Sequence, residues 1–216
     1  MSRNFVVAID GPAGAGKSTI AKALARALRL EYLDTGAMFR ALTSDLLRNN
    51  IDVDDTIRVG QSARDLELVM EEDRVYANGV DVTSDIRSAD VTAAVSAVAA
   101  NSLVRSVLRD RQREWSERHG GGVVEGRDIG TVVFPDALLK VYLTASPRVR
   151  AERRVAQSGG DLLEIETAIA ERDLKDSTRH DSPLRESEDS VVVDTSNRAV
   201  DDIVASIIDL VKDRLS

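Results

Sequence analysis

The sequence predicts an α/β fold in which a parallel sheet carries helices on both faces. The run Phe5 to Ile9 is continuously apolar, as in a strand buried on both faces, and Ile20, Leu24 and Leu28 then recur every four residues. Apolar strand candidates alternate with helical segments along most of the remaining chain. Strand, loop and helix in this order are the repeating unit of a doubly wound sheet.

The later elements follow the same pattern. A second strand is expected to end at Asp34, and a helical run extends from Val91 to His119. A last helix is expected after Asn197, capped by Ser196 or Asn197, with an apolar face that ends at Val211. The further strand candidates are Val123 to Val124, Leu138 to Leu143 and Val191 to Val193.

One stretch interrupts the alternation. Leu66 to Met70 and Val75 to Val82 have the pattern of short strands, and Asn78-Gly79 is a strong signal for a tight hairpin turn. We predict a small antiparallel insert at about residues 60–90 within a single domain. The core then comprises about residues 1–59 and 91–216.

Composition restricts the class of protein. The chain has 216 residues, of which 43% are hydrophobic, and its 37 acidic and 29 basic side chains give a net charge of −8. This charge disfavours nucleic acid as a partner. Cysteine is absent, which excludes disulfides and thiol nucleophiles, and no run approaches the ~18 apolar residues of a membrane span. We expect a cytoplasmic protein with neither nucleic-acid nor membrane partners.

The segment AIDGPAGAGKST joins the first strand to the first helix. Gly11, Gly16, Lys17 and Ser18 satisfy G-x-x-x-x-G-K-[ST], the P-loop motif. Glycines let successive N–H groups turn toward a phosphate, and the helix N-terminus adds partial positive charge. Lys17 can reach the β and γ oxygens and Ser18 can ligate Mg²⁺, so the pattern indicates a nucleoside triphosphate site.

Three further segments place charged residues where strands or helices end. YLDTGAMFRA contains Thr35 and Arg40, and VVEGRDIGTVVFPDA contains Arg127 and Asp128. Ligands bind at the carboxyl ends of strands in such sheets. The segment ERDLKDSTRHDSPL adds the three residues Arg172, Asp176 and Arg179.

In the combination and order of DGPAGAGKS, LDTGAMFR, EGRDIGTVVFPDA and ERDLKDSTR, the sequence resembles the bacterial cytidylate kinases over almost its whole length. The resemblance implies a P-loop kinase that transfers phosphate from ATP, with Mg²⁺, to CMP or dCMP. It also implies that the insert binds the nucleoside monophosphate and that a short lid lies at about residues 148–180. We expect a monomer.

The resemblance also implies roles for individual residues. The catalytic residues are Lys17, Arg127, Arg172 and Arg179. The ATP-binding residues are Gly11, Pro12, Ala13, Gly14, Ala15, Gly16, Lys17, Ser18, Thr19 and Arg153, and Ser18 is the candidate metal ligand. The CMP-binding residues are Thr35, Arg40, Ser96, Arg105, Arg127, Asp128, Asp176 and Arg179.

The chemistry agrees with these roles. A nucleoside monophosphate brings an ionised phosphate oxygen as nucleophile, so the enzyme needs cations more than a base, and bidentate arginine suits this task. By resemblance, Asp128 faces the cytosine amino group, with Arg105 and Ser96 as donors, and Asp176 contacts the ribose. Uracil would mispair with these groups at a cost of ~1–3 kcal/mol or more.

Other functions remain open at this point. A kinase for a hydroxyl acceptor such as shikimate would use Asp34 as base, and a kinase for UMP or dTMP would differ in its base contacts. A regulatory GTPase would need N-K-x-D, which the sequence lacks. An ATPase that depends on nucleic acid is disfavoured by the acidic charge and by an aromatic content of only 3%.

Overall fold

The computed structural model describes residues 5–71 and 73–216. These residues form two compact units. The first unit runs to Asp34 and resumes from Arg113 to Ser216, and the second is Thr35–Gln112. Each unit has its own sheet: the five-stranded sheet belongs to the first unit and the three-stranded sheet to the second.

Eight strands and eight α-helices are present in the described residues. In chain order they are β1 (Phe5–Asp10), α1 (Lys17–Leu28), β2 (Tyr32–Asp34), α2 (Thr35–Arg48), α3 (Thr56–Asp65), β3 (Leu68–Met70), β4 (Val75–Ala77), β5 (Val80–Asp81), α4 (Ala89–Ala100), α5 (Ser102–His119), β6 (Gly121–Gly126), β7 (Leu139–Thr144), α6 (Pro147–Ser158), α7 (Leu162–Thr178), β8 (Val191–Asp194) and α8 (Val200–Leu215). A 3₁₀ turn at Asp85–Arg87 and a π-helical turn at Ile129–Val133 complete the regular structure.

The first unit is built on five parallel strands in the order β2-β6-β1-β7-β8. Val7 on the central strand pairs with Val123 on one side and Leu139 on the other. Helices α1 and α8 pack together, and Leu24 and Ile207 bury their side chains in the same core cluster as these strands. The predicted parallel α/β fold is confirmed, and β1 has at the centre of the sheet the continuous apolar run, Phe5 to Ile9, that a strand covered on both faces requires.

The second unit holds the predicted antiparallel sheet, in the order β3-β4-β5. Asn78 and Gly79 have φ values of 52° and 75° and form the two-residue turn that the sequence predicted between β4 and β5. The second unit extends over 35–112, and within it α2 packs against both α4 and β4. The bounds of the insert that binds the nucleoside monophosphate, about 60–90, stay a prediction.

The predicted helical run from Val91 to His119 is two helices. Asn101 lies between them, and its Oδ1 accepts hydrogen bonds from the N–H groups of Leu103 at 2.9 Å and Val104 at 3.3 Å. This side chain caps α5, and α4 and α5 bend by 93° at the break. Among the residues the structure describes, no single helix is long and apolar enough to cross a membrane; α4 and α5 reach that length and composition only when taken together.

The predicted cap of the last helix was wrong. Helix α8 begins at Val200 after Ala199, which makes no side-chain cap hydrogen bond. Ser196 instead donates its N–H to Asp194 at 2.8 Å and accepts a hydrogen bond from the N–H of Ser146 at 2.9 Å. Its hydroxyl is therefore used in the turn that follows β8.

Candidate active site

The loop between β1 and α1 has the shape of a phosphate cradle. A side chain at Gly11 would place its Cβ 2.1 Å from the carbonyl oxygen of Leu143, so only glycine fits there. Gly16 has a φ of 85° and precedes the first residue of α1. The helix N-terminus and the loop amides thus lie together, as anion binding requires. Ser18 and Thr19 lie exposed in the first turn of α1.

Lys17 is buried against this loop. Its Nζ donates to the carbonyl oxygen of Pro12 at 2.9 Å. Burial, followed by the nearby Arg127 guanidinium, lowers the pKa of Lys17 to about 7, while Glu125 opposes that shift. The ammonium is therefore destabilised here, and an arriving polyphosphate would favour its charged form.

Arg153 connects the loop to the end of β8. Its Nη1 donates to Thr195 Oγ1 at 2.9 Å, and its Nη2 donates to the Thr195 carbonyl at 2.6 Å. The Thr195 hydroxyl in turn donates to the carbonyl of Ala15 at 3.1 Å. Arg153 is thus close to the phosphate loop in this structure, and its contact with a phosphate remains a prediction.

Asp176 gathers three of the predicted catalytic arginines within the first unit. Arg127, which directly follows β6, donates from Nε to Asp176 Oδ2 at 3.0 Å. Arg172 lies one turn earlier on α7, with its Nε 4.0 Å from the same oxygen. Arg179 follows α7, with Nη1 4.0 Å from Oδ1. We call Arg127, Arg172, Arg179 and Asp176 the arginine cluster.

Asp128 lies beside this cluster. Its Oδ1 is 3.6 Å from Nη2 of Arg179, and both side chains are more than nine-tenths buried. The π-helical turn at Ile129–Val133 begins directly after it. The structure therefore brings the predicted base-contacting carboxylate and a predicted phosphate-contacting arginine together.

The segment after α7 has no regular structure but is attached at several points. Arg179 Nε donates to the carbonyl of Ser182 at 2.7 Å, and the N–H of Leu184 donates to the carbonyl of Asp176 at 2.8 Å. Farther along, Nζ of Lys140 is 2.8 Å from Asp189, and this contact lowers the pKa of Asp189 to about 2. The contact with Ser182 holds the Arg179 side chain directly, and the other two hold the segment that follows it.

Arg40 and Thr35 belong to the second unit. Thr35 is the buried first residue of α2. Nη1 of Arg40, on the same helix, donates to the carbonyl of Ile86 at 2.9 Å and to the hydroxyl of Thr92 at 3.0 Å. Within this unit, the 3₁₀ turn and α4 hold the predicted acceptor-phosphate arginine in place.

Arg105 and Ser96 belong to the second unit, Arg105 in the part of α5 before Arg113 and Ser96 on α4. Arg105 is buried, and its Nη1 donates to the carbonyl of Ala99 at 3.1 Å. Its guanidinium carbon lies 5.5 Å from the ring centroid of Phe39, within the range of a cation–π interaction. Ser96 is half-buried on α4. Their contacts with a base remain predictions.

Comparison with known proteins identifies the family. The family model described as cytidylate kinase matches residues 7–213. The chain belongs to the cytidylate kinase family. A cytidylate kinase of Mycobacterium leprae (strain Br4923) is 48% identical over 216 residues, which cover 98% of this chain and 97% of that protein. The predicted resemblance is thereby confirmed, and the chain is a member of a kinase family.

Two further similarities differ in scope. A bifunctional pantoate ligase/cytidylate kinase of Prochlorococcus marinus (strain MIT 9303) is 48% identical over 221 residues, covering 97% of this chain but 45% of that protein. The chain thus spans less than half the length of that relative. A crystal structure of an uncharacterized protein from Eubacterium ventriosum ATCC 27560 aligns with a TM-score of 0.55 at 12% identity, covering 96% of this chain and 98% of that one. This last similarity concerns the fold alone.

Asp10 is a buried carboxylate that the sequence prediction missed. It ends β1, directly before the loop, and accepts hydrogen bonds from the N–H groups of Ile129 at 2.8 Å and Gly130 at 2.7 Å. Burial raises the pKa of Asp10 to about 6, although these two donors oppose the shift. Asp10 thus joins the phosphate loop to the turn that carries Asp128. The sequence signal that could have identified Asp10 was its position at the end of a strand, directly before the P-loop motif.

The residues near Ser18 suit a hard cation. Glu125 is buried, accepts a hydrogen bond from the Tyr32 hydroxyl, and has its pKa raised by burial and by Asp34. Hydroxyl and carboxylate oxygens are ligands of Mg²⁺, which keeps several waters and is usually held jointly with nucleotide phosphates. The described residues contain no group of three or more acidic, histidine or cysteine side chains that could hold a metal ion. The donor set therefore fits Mg²⁺ brought with ATP.

Proposed function

We propose that the chain transfers the γ-phosphoryl group of ATP to CMP or dCMP, giving ADP and CDP or dCDP. The main support is the arginine cluster, in which three guanidinium groups lie within 4.0 Å of one carboxylate. Guanidinium groups bind phosphate and carboxylate oxygens with the same bidentate geometry. A site of this kind suits an anionic acceptor, whereas a hydroxyl acceptor would require a base aimed at it.

The reaction needs electrostatic stabilisation more than proton transfer. A phosphate oxygen of CMP attacks the γ-phosphorus, the bond to the β–γ bridging oxygen breaks, and its electron pair leaves with ADP. Lys17 and the loop amides bind the donor phosphates, while Arg127, Arg172 and Arg179 bind the acceptor and the transferring group. Mg²⁺, held by Ser18 with Glu125 orienting its waters, would supply further charge neutralisation when bound.

Recognition of the nucleoside is assigned to polar side chains. Asp128 accepts from the cytosine amino group, and Ser96 and Arg105 donate to the acceptor atoms of the base. Asp176 accepts from a ribose hydroxyl in addition to holding the arginines, Arg40 contacts the acceptor phosphate, and Thr35 contacts CMP through its hydroxyl. These assignments rest on the family motifs that the sequence contains.

The remaining parts of the proposal concern the setting of the reaction. We infer a monomeric enzyme of pyrimidine nucleotide metabolism that acts in the cytoplasm. The segment at about 148–180, which includes α6 and α7, acts as the lid over ATP, with Arg153 as a phosphate contact. The small antiparallel sheet belongs to the part that binds the nucleoside monophosphate.

A coupled assay of ADP release tests the function. CMP, dCMP, UMP and shikimate are supplied in parallel with ATP and Mg²⁺. We expect turnover with CMP and dCMP and much slower turnover with UMP, because a mispaired base leaves buried polar groups unsatisfied. Turnover confined to shikimate would contradict the proposal, and preference for UMP would contradict the role of Asp128.

The variant Asp128→Ala tests base recognition separately. We expect a rise of about 10- to 100-fold in KM for CMP, the size expected when a buried hydrogen-bond partner is lost, and little change in KM for ATP. The variant Arg113→Ala is the matched control for damage to the adjoining turn. Arg113 donates to the carbonyl oxygens of Val132 and Val133 at 3.0 Å. Equal losses for ATP and CMP in Asp128→Ala would assign this carboxylate a structural role.

A further inference from the structure

Both main-chain polar groups of Ala13, in the middle of the phosphate loop, are hydrogen-bonded to side chains of other elements. Its N–H donates to Asp173 Oδ1 at 3.2 Å, and its carbonyl oxygen accepts from Arg150 Nη1 at 3.1 Å. Arg150 and Asp173 also form an ion pair with each other. Ala13, Arg150 and Asp173 thus form a closed ring of contacts, and we call Arg150 and Asp173 the loop clamp.

The loop clamp is shielded from water. The side chain of Arg150 is 9% exposed and that of Asp173 is 20% exposed, so solvent competes weakly for their hydrogen bonds. A Cβ at Gly14 would lie 2.9 Å from Cβ of Arg150, which shows that α6 packs directly on the loop. Helices α6 and α7 therefore each contribute one side chain that is hydrogen-bonded to the phosphate loop.

Asp173 lies on α7 close to two residues of the arginine cluster. Arg172 is adjacent to it and Asp176 follows three residues later, so a rigid α7 places both at fixed distances from the clamp. Asp176 in turn holds Arg127 at 3.0 Å. A contact with the loop at Asp173 is thereby transmitted through less than one helical turn to the arginine cluster.

We propose that Arg150 and Asp173 are positioning residues that set the spacing between the phosphate loop and the arginine cluster. The proposal rests on the function proposed above, in which the loop holds the donor and the cluster holds the acceptor. Phosphoryl transfer depends on in-line placement of the two phosphates, and a displacement of about 1 Å costs about 100-fold in rate. Neither residue needs to touch a nucleotide to have this effect.

The test compares Asp173→Ala, Asp173→Asn and a control, Glu152→Ala. Glu152 pairs with Arg148 at 3.0 Å on the outer side of α6, so its variant also removes an ion pair of these helices, but one exposed to solvent. Steady-state kinetics with ATP and CMP are combined with thermal unfolding and with calorimetric binding of a non-hydrolysable ATP analogue.

We expect kcat of Asp173→Ala to fall about 30- to 100-fold because the two phosphates lose their alignment. The Kd for the ATP analogue should change by less than about threefold, since Asp173 accepts from one loop amide, that of Ala13, and Lys17 and the other amides stay in place. Asp173→Asn should recover about tenfold of the lost kcat, because its amide oxygen can still accept from the N–H of Ala13. Glu152→Ala should stay within about twofold of the wild type.

Three results would overturn the proposal. The first is a kcat of Asp173→Ala within twofold of the wild type once it is scaled by the folded fraction. The second is a loss of ATP-analogue affinity as large as the loss of kcat, and the third is no recovery in Asp173→Asn when it unfolds at the wild-type temperature. If the wild type uses an acceptor other than CMP, the proposed function fails, while the ratio of variant to wild type on that acceptor still tests the clamp.

Discussion

The phosphate loop and the arginine cluster create positive potential by different means. The loop uses consecutive main-chain amides and one lysine whose pKa is lowered to about 7 by burial. The cluster uses guanidinium groups, which stay charged at all physiological pH values, drawn from the end of β6 and from α7 and the residue after it. The loop therefore depends on backbone shape, and the cluster depends on charge balance around Asp176.

The largest effect is expected from a change of loop shape. Gly11→Ala would bring Cβ within 2.1 Å of a backbone carbonyl oxygen that belongs to β7 and cannot move aside. We expect a loss of more than about 10³-fold in kcat/KM, because several phosphate-binding amides would be displaced together. Steady-state kinetics measure the loss, on protein whose circular dichroism spectrum matches that of the wild type.

Gly79→Ala provides the matched control. Gly79 also has a positive φ, of 75°, but nothing lies within 4 Å of a Cβ added there. Its replacement should cost only about 1 kcal/mol of backbone strain and leave kcat unchanged. If Gly11→Ala behaved like Gly79→Ala, the loop would not depend on steric fit and the comparison between the two regions would fail.

A smaller effect is expected from removing one charge of the cluster. Arg127→Ala should lower kcat/KM for CMP about 100-fold, since one preorganised donor to the transferring group is lost. Arg127→Lys should recover only part of this loss because an ammonium lacks the bidentate geometry. A change in KM for ATP alone, with CMP kinetics intact, would place Arg127 on the donor side instead.

The smallest effect concerns Asp10, which ends β1 directly before the loop and accepts hydrogen bonds from the turn that follows Asp128. Because burial raises the pKa of Asp10 from 3.8 to about 6, the folded state binds more protons than the unfolded state between these values. Asp10 therefore contributes stability that is present below pH ~4 and is lost as the pH rises through ~6. Asp10→Asn cannot titrate, and it separates this effect from that of other carboxylates.

Urea denaturation of both proteins from pH 4 to pH 7 measures the contribution. The difference in free energy of unfolding, wild type minus Asp10→Asn, should fall by about 2–3 kcal/mol over this range. A difference that is constant with pH would mean that Asp10 keeps an ordinary pKa in the folded protein.

Local sequence patterns predicted the phosphate loop and the parallel sheet. The loop motif is contiguous, so neighbouring residues were sufficient to recognise it, although the contacts that require Gly11 and Gly14 come from the distant residues Leu143 and Arg150. The small sheet was found for the same reason, since Asn78 and Gly79 determine their own turn. The break at Asn101 was missed, although an asparagine before Ser102 is a common start of a helix.

Contacts between distant positions could not be predicted in this way. Asp10 receives its hydrogen bond from Ile129, 119 residues away, and Asp173 receives one from Ala13 across 160 residues. The family motifs predicted the arginines of the cluster individually. Their arrangement around Asp176 depends on how α7 lies against the end of β6, and that packing has no signal in either segment alone.

The attachment of the chain after α7 has a consequence for how such proteins can vary in length. Leu184 is tied to Asp176, and Asp189 is tied to Lys140, so the intervening residues 185–188 are held at both ends while mostly facing solvent. Extra residues accommodated there would bulge outward and leave Arg179 where it is. The same stretch is the natural place to attach a fluorescent label or a peptide tag without disturbing catalysis.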